Sequence, residues 1–288
     1  MDLATIVGIL IAFGSLYAMI TLEGAHVEAL LLPAPMVLVF GATIAIGIAG
    51  GTIKDFIVSA KAVPGALKGS SYKPSQVIDQ VVGLAEKARS EGLLALEQEA
   101  DKVSDPFLKG ALQNIADGTD GEELRMMLED EIESKTKSGR TASKFFGALG
   151  GYAPTVGIIG TVVSLTHVLE NLSSPDSLGP MIATAFVATL WGLLSANFIW
   201  LPIGTRIRRL TDMEAERMTL LMEGVLAVQS GSQPRILGER LRAMVPSDAP
   251  AKGKGKAGKG GKGDKSKAPK AKGAKGKGAD SATNKEAA

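Results

Sequence analysis

Thr161, Thr189, Pro154 and Pro202 are the residues of this chain whose types and surroundings could do chemistry, and that chemistry is the handling of a cation rather than the making of a covalent bond. Pro154, Gly157, Thr161 and Ser164 are spaced 3, 4 and 3 apart, so a helix places them on one face. Ala185, Thr189, Gly192 and Ala196 repeat the pattern at 4, 3 and 4. Both stripes lie in apolar runs, where small and hydroxyl-bearing residues serve close helix packing or line a polar path. Two such stripes facing one another are expected to leave room between them. Threonine oxygens can ligate a cation but cannot supply its counter-charge, and no acid lies within the apolar runs. A carboxylate delivered by another protein's helix, set against Thr161 and Thr189, would complete the site. Burying an acid at mid-membrane costs about 2.5 to 3.5 kcal/mol, which favours its neutralisation by a proton or its coordination by a cation. Pro154 and Pro202 each remove a backbone bond and leave a carbonyl open, and both are expected toward the cytoplasmic end as hinges. On spacing alone, the alternative stands equally: Thr161 and Thr189 bond back to carbonyls of their own helices.

Other chemistries find no residues to run on. The chain has no cysteine and only two histidines, His26 and His167, so no thiolate or histidine metal cluster is expected and no fixed metal, only a transient Na+ near Thr161. No nucleophile has a neighbouring base, and no glycine loop is followed by the Lys and Ser or Thr that hold phosphates. The sequence therefore reads as not an enzyme, without a cofactor, with a transported Na+ or H+ as cargo and with no nucleic-acid partner.

The elements that must position these residues are helices. Four uncharged blocks pass the length test for spanning: Leu3 to Leu22, Ala29 to Ile53, Phe145 to Leu169 and Gly179 to Gly204. The short connections, Glu23 to Glu28 and Glu170 to Leu178, hold acids but no Lys or Arg, whereas Lys54 and Arg206, Arg208 and Arg209 begin the long segments. The positive-inside rule then places both long segments and both termini in the cytoplasm. The first block lacks the charged n-region of a secretion signal and is followed by a second span, so it is expected to be retained. The fold class is an all-α membrane protein of four transmembrane helices with a helical cytoplasmic domain and a disordered basic C-terminal tail. Its parts are a hairpin at 1–53, a cytoplasmic helical domain at 54–144, the ion-path helices at 145–204, cytoplasmic C-terminal helices at 205–245 and the tail at 246–288.

Within 54–144, Ser75 to Ala100 reads as two amphipathic helices broken near Gly92, with Ser75 as N-cap. Phe107 to Ile115 reads as a short helix, and 122–144 as a charged helix running into the third span. Residues 205–232 continue the fourth span, and a short helix follows Pro234. From residue 247 the chain holds 12 Lys against 4 acids, a net +8, which leaves the body at 2 − 8 = −6. Such a segment buries too little to fold, and it reads as a solvated extension more readily than as a contact for anionic headgroups.

At YAMITLEG and VFGATIAIGIAGG in the first hairpin, AEKARSEGLLALEQEA in the cytoplasmic part, KFFGALGGYAPTVGIIGTVV and ATLWGLLSANFIWLPIGTRI in the third and fourth spans, and LMEGVLAVQSGSQPRILGERL near the end, the chain resembles the MotA and PomA family of flagellar-motor stator subunits. The resemblance covers about residues 1–245. It implies a homopentamer in the bacterial inner membrane around a MotB or PomB-like subunit that supplies the membrane aspartate, pushing the rotor protein FliG. It also implies that Pro154 and Pro202 are the coupling prolines, that Arg89 and Glu97 contact the rotor, and that Thr161 and Thr189 line the ion path. Proton-driven members often carry alanine at the position of Thr161, so its hydroxyl leans toward sodium. The closest competing reading is an energy transducer of the ExbB and TolQ type, which has three spans and its large cytoplasmic segment after the first.

Overall fold

Helix starts and stops in this chain are written mainly in prolines, glycines and short polar caps. The structure, a computed structural model, describes residues 3–24, 26–69, 72–173 and 175–245, and every regular element among them is helical. The expected tail at 246–288 lies outside the described residues. Helix α1 is Leu3–Leu22 and is followed by a single tight turn, Val27–Leu30. Helix α2 runs Pro33–Ala49 and contains a widened π turn at Val37–Ala42. The expected second block was longer at both ends. Pro33 opens this helix, where its missing N–H costs nothing because the first-turn donors have no partner in the helix, and Gly50 and Gly51 close it. A new helix, α3 at Ile53–Lys68, starts at once because Thr52 and Asp55 form a reciprocal capping box.

Helix α4, Pro74–Glu91, begins with the proline at its first position and Lys73 as N-cap, so Ser75 lies inside the first turn and is not the cap. Gly92 stops it with φ 87°, a left-handed geometry that glycine adopts without strain, and α5 follows at Ala95–Ala100. The break expected near Gly92 is there. Helix α6, Pro106–Ala116, is capped by Asp105, whose carboxylate accepts from the Phe107 N–H at 3.1 Å. Helix α7, Gly121–Glu170, starts on the Asp120 cap and runs 50 residues without interruption. Helix α8, Pro175–Gln229, is longer still, with a π turn at Ser195–Trp200, and α9 is Pro234–Met244.

Among the described residues, α7 and α8 are long and apolar enough to cross a membrane, while Ile6–Leu22 in α1 and α2 are shorter apolar helices. At about 1.5 Å per residue, α7 is roughly 75 Å long, enough both to cross a bilayer and to project far beyond it. The projecting ends carry the main core. Val81, Leu84, Leu96, Phe107, Leu112, Leu124, Met218, Leu221, Leu237 and Leu241 are all buried there, drawn from α4 through α9. A second cluster of Ala142, Phe145, Phe146, Leu149 and Ile207 joins α7 to α8 where the apolar segment of α7 begins and receives Ala66 from α3. The apolar ends of α7 and α8 are thus held on a packed helical bundle.

Candidate functional site

Where α7 and α8 pass through their apolar lengths, two glycines set their separation. A methyl group on Gly157 would lie 2.9 Å from the Ala188 carbonyl oxygen and 3.1 Å from the Gly192 Cα. One on Gly192 would lie 2.8 Å from the Ala153 carbonyl oxygen. The backbones therefore touch, and the room expected between the two small-residue stripes is not present. Small residues at these positions act as the seam of the pair.

One turn above that seam the two threonines meet. The Thr161 and Thr189 hydroxyl oxygens are 2.5 Å apart, and Thr161 Oγ1 also lies 3.0 Å from the Ala185 carbonyl oxygen across the seam and 3.1 Å from the Gly157 carbonyl oxygen of its own helix. A hydroxyl carries one proton, so the consistent arrangement has Thr189 donating to Thr161 and Thr161 donating to a carbonyl. Both threonines are half-buried. Thr161 thus bonds back to a carbonyl of its own helix, as the packing alternative expects, and also reaches across the seam to Thr189 and to the Ala185 carbonyl. No carboxylate, lysine or arginine of this chain lies in either apolar length, so the counter-charge a cation requires has to come from outside it.

The two prolines flank one contact across the same interface. Pro154 removes the donor that would serve the Gly150 carbonyl, and Gly150 packs against Leu201, the neighbour of Pro202; a methyl on Gly150 would come within 2.5 Å of the Leu201 side chain. At Pro202 the opened carbonyl is not the one an ordinary helix would give. The π turn makes the Leu201 N–H donate to Ala196 O, and Pro202 has no N–H, so the Asn197 carbonyl is left without an intrahelical donor. Both prolines are half-buried, and between them lies a contact of glycine and leucine.

Two features of the site had no signal in the spacing of polar residues. The Trp191 indole donates to the Leu30 carbonyl at 2.6 Å, pinning α8 to the turn that precedes α2. The π turn of α8 also sits among aromatic contacts, with Phe40 packed against both Trp191 and Trp200 and Phe13 edge-on to Phe198. A proline following an aromatic run was the only hint available. Outward of the seam, Ile158, Ile159, Val162, Val163 and Phe186 are exposed, an apolar surround that suits lipid or further helices.

Arg89 and Glu97 belong to a different place. Arg89 is exposed in the last turn of α4 and Glu97 is exposed in the first turn of α5, so the Gly92 turn brings the two onto one corner. Leu94 stands between them at 73% exposure. The corner is braced from behind by Glu99, which pairs with Lys87 of α4 and, at 2.8 Å, with Lys102. Those hydrogen bonds, first from Lys102 and then from Lys87, hold the Glu99 carboxyl below the usual carboxylate range, and Glu99 in turn raises the Lys87 ammonium.

Comparison with known proteins gives a consistent result over nearly the whole described chain. A family model described as Motility protein A N-terminal matches residues 6–92, and one described as the MotA/TolQ/ExbB proton channel family matches residues 99–220. The Motility protein A of Treponema phagedenis is 34% identical over 244 residues, covering 84% of this chain and 93% of that protein. Among solved structures, a C. jejuni MotAB structure aligns with TM-score 0.83 and 26% identity over 87% of this chain and 98% of that one. The flagellar MotAB stator complex from Bacillus subtilis aligns with TM-score 0.78 and 30% identity over 84% of this chain and 95% of that one.

Proposed function

The chain belongs to the motility protein A family, and from that premise we propose that it is the ion-conducting stator subunit of a flagellar motor, coupling cation flow across the inner membrane to torque on a rotor. The observation that carries the reading is the meeting of Thr161 and Thr189 at a closed glycine seam, in apolar helix lengths that contain no charge of their own. Because the seam is shut, the cation would pass along the outer side of the α7–α8 pair, against a carboxylate on the helix of a MotB or PomB-like partner. Several copies, five by family resemblance, would surround that partner. In this arrangement α1 and α2 join α7 and α8 as spans, with both termini in the cytoplasm. The apolar hairpin that precedes the long polar segment supports the motor branch over an ExbB or TolQ-type transducer.

Coupling follows from the prolines. Loading or emptying a carboxylate beside Thr161 changes what the α7–α8 pair touches, and the open carbonyls near Gly150 and Asn197 are where those helices can bend. A monovalent cation crossing 100 mV releases about 2.3 kcal/mol, enough to bias a step of packed helices and too little for bond chemistry. The bend would be passed along the unbroken α7 and α8 to the corner of Arg89 and Glu97, which would engage FliG. Sodium is the favoured cargo, on the Thr161 hydroxyl.

The test is flux through the chain and its partner subunit reconstituted in vesicles at fixed voltage, with and without sodium. Current that follows sodium and falls in Thr161→Ala is expected. Full activity in sodium-free buffer would remove the sodium assignment, and flux untouched by both Thr161→Ala and Pro154→Ala in an assembled complex would leave the chain a passive scaffold.

A further inference from the structure

A cavity of about 690 Å³ lies between α1 and α8, away from the threonine seam. Its floor is apolar, with Gly8 and Ala12 of α1 facing Phe198 and Leu201 of α8, and the Phe13–Phe198 ring contact lies next along both helices. Its other end is polar and cationic, with Thr205 and the exposed Arg209 directly where the uncharged run of α8 stops. Arg206 also lines that end, its Nε donating to the Ala66 carbonyl at 3.5 Å. The groove is therefore graded from apolar to cationic over two to three helical turns, the same order of change that an inner leaflet makes from acyl chains to anionic headgroups.

We propose that this groove is a binding site for one anionic phospholipid of the inner leaflet, its acyl chain lying on Gly8, Ala12 and Leu201 and its headgroup phosphate held by Arg209 and Thr205. A free anion gains nothing from the apolar floor. A phosphodiester lipid satisfies both ends. The site belongs to α1 and α8 of one chain, so it stands apart from the motor assignment.

The test is native mass spectrometry of the full chain extracted from vesicles of phosphatidylcholine containing one-fifth phosphatidylglycerol. Wild type is expected to retain phosphatidylglycerol in preference to phosphatidylcholine. Arg209→Gln, at an exposed position that does not threaten folding, lowers that preference about fivefold, the effect of one basic residue at an anionic surface. Arg209→Lys keeps it. Gly8→Leu fills the floor, since nothing lies within 4 Å of a side chain started there, and lowers retention of both lipids while helix content by circular dichroism stays unchanged. Equal retention of the two lipids by wild type, or an unchanged ratio in Arg209→Gln, overturns the proposal. Displacement by glycerol phosphate alone would make it a phosphate site, and Gly8→Leu that splits an oligomer while lipid retention holds would give the groove to a second copy; either result also overturns it.

Discussion

Gly157 and Gly192 are in backbone contact, each so placed that a single methyl group would drive into the other helix. Alanine at either position therefore has to push α7 and α8 apart by several tenths of an ångström, and the atoms in the way are backbone, which cannot rotate aside. We expect Gly157→Ala and Gly192→Ala each to destabilise the chain by about 1 to 3 kcal/mol, the usual scale for overpacking, and to abolish motility. Gly147→Ala and Gly151→Ala, where nothing lies within 4 Å, should instead stabilise the detergent-extracted chain modestly, by up to about 1 kcal/mol each, because alanine favours a helix interior over glycine. Equal melting temperatures in all four variants would contradict the seam.

The hydroxyl contact makes a separate prediction. Thr161→Val keeps the shape of the side chain and removes its donor, leaving the Ala185 carbonyl and Thr189 each short of a partner; a loss of about 1 kcal/mol is expected. Thr161→Ser restores the hydrogen bonds, and swimming speed at saturating sodium should return with it. If the hydroxyl serves packing only, Val and Ser variants will share one sodium dependence.

How far the sequence exposes this arrangement depends on the kind of information involved. The apolar runs, the break at Gly92 and the pairing of the two small-residue stripes are properties of periodicity and of single residues with forced geometry, so they are legible directly. What the stripes do to each other is not. Whether glycine faces leave a gap or close it depends on their depth of approach, and here Gly157 and Gly192 close it, which moves the proposed path to the outside of the pair. The start of α3 was equally open to reading, since Thr52 and Asp55 have capping-box spacing, but an apolar run extending to Ile53 masks it. The π turn at Ser195–Trp200 has no local signature beyond the proline it accommodates, so the open carbonyl at Asn197 could come only from the structure.

Asp105 has two tasks that can be separated. One carboxylate oxygen caps α6 and the other accepts from Arg217, which also forms a two-pronged pair with Glu214. The Glu214 hydrogen bonds first, and those of Asp105 next, hold the Arg217 guanidinium above its ordinary range. Asp105→Asn keeps a good cap and should cost less than Asp105→Ala, which loses both roles and about 1 to 3 kcal/mol. Thermal unfolding of the two variants side by side measures the difference.

The brace behind the exposed corner is pH-sensitive at both ends. Glu99 has a carboxyl lowered by Lys102 and Lys87, so its contribution is present above the ordinary carboxylate range and is lost as pH falls through its lowered value. Lys87 has an ammonium raised chiefly by its hydrogen bond to Glu99, so its contribution is present below the ordinary lysine range and is lost as pH rises through its raised value. Amide exchange at Leu94 to Ala100, corrected for intrinsic rates, should be slowest between those limits. Glu99→Gln should flatten the acid side, and an unchanged profile would mean that the pair does not brace the corner.

Arg89 and Glu97 carry the last prediction. Both are exposed, and they flank Leu94 on a turn whose direction is fixed by the positive φ of Gly92. Residues so placed contribute little to the fold, so Arg89→Glu should leave the melting temperature within the scatter of surface substitutions, about 0.5 kcal/mol in stability. If the corner engages a rotor, the same change places a negative charge where a positive one met the partner, and torque should fall while reconstituted ion flux persists. A compensating charge reversal on the rotor protein should restore swimming, because the loss is electrostatic and not structural. Glu97→Lys should behave the same way with the opposite compensation. Normal swimming in the Arg89→Glu, Glu97→Lys double variant on an unaltered rotor would remove this corner from the torque path, since inverting both charges reverses the pattern the rotor has to meet.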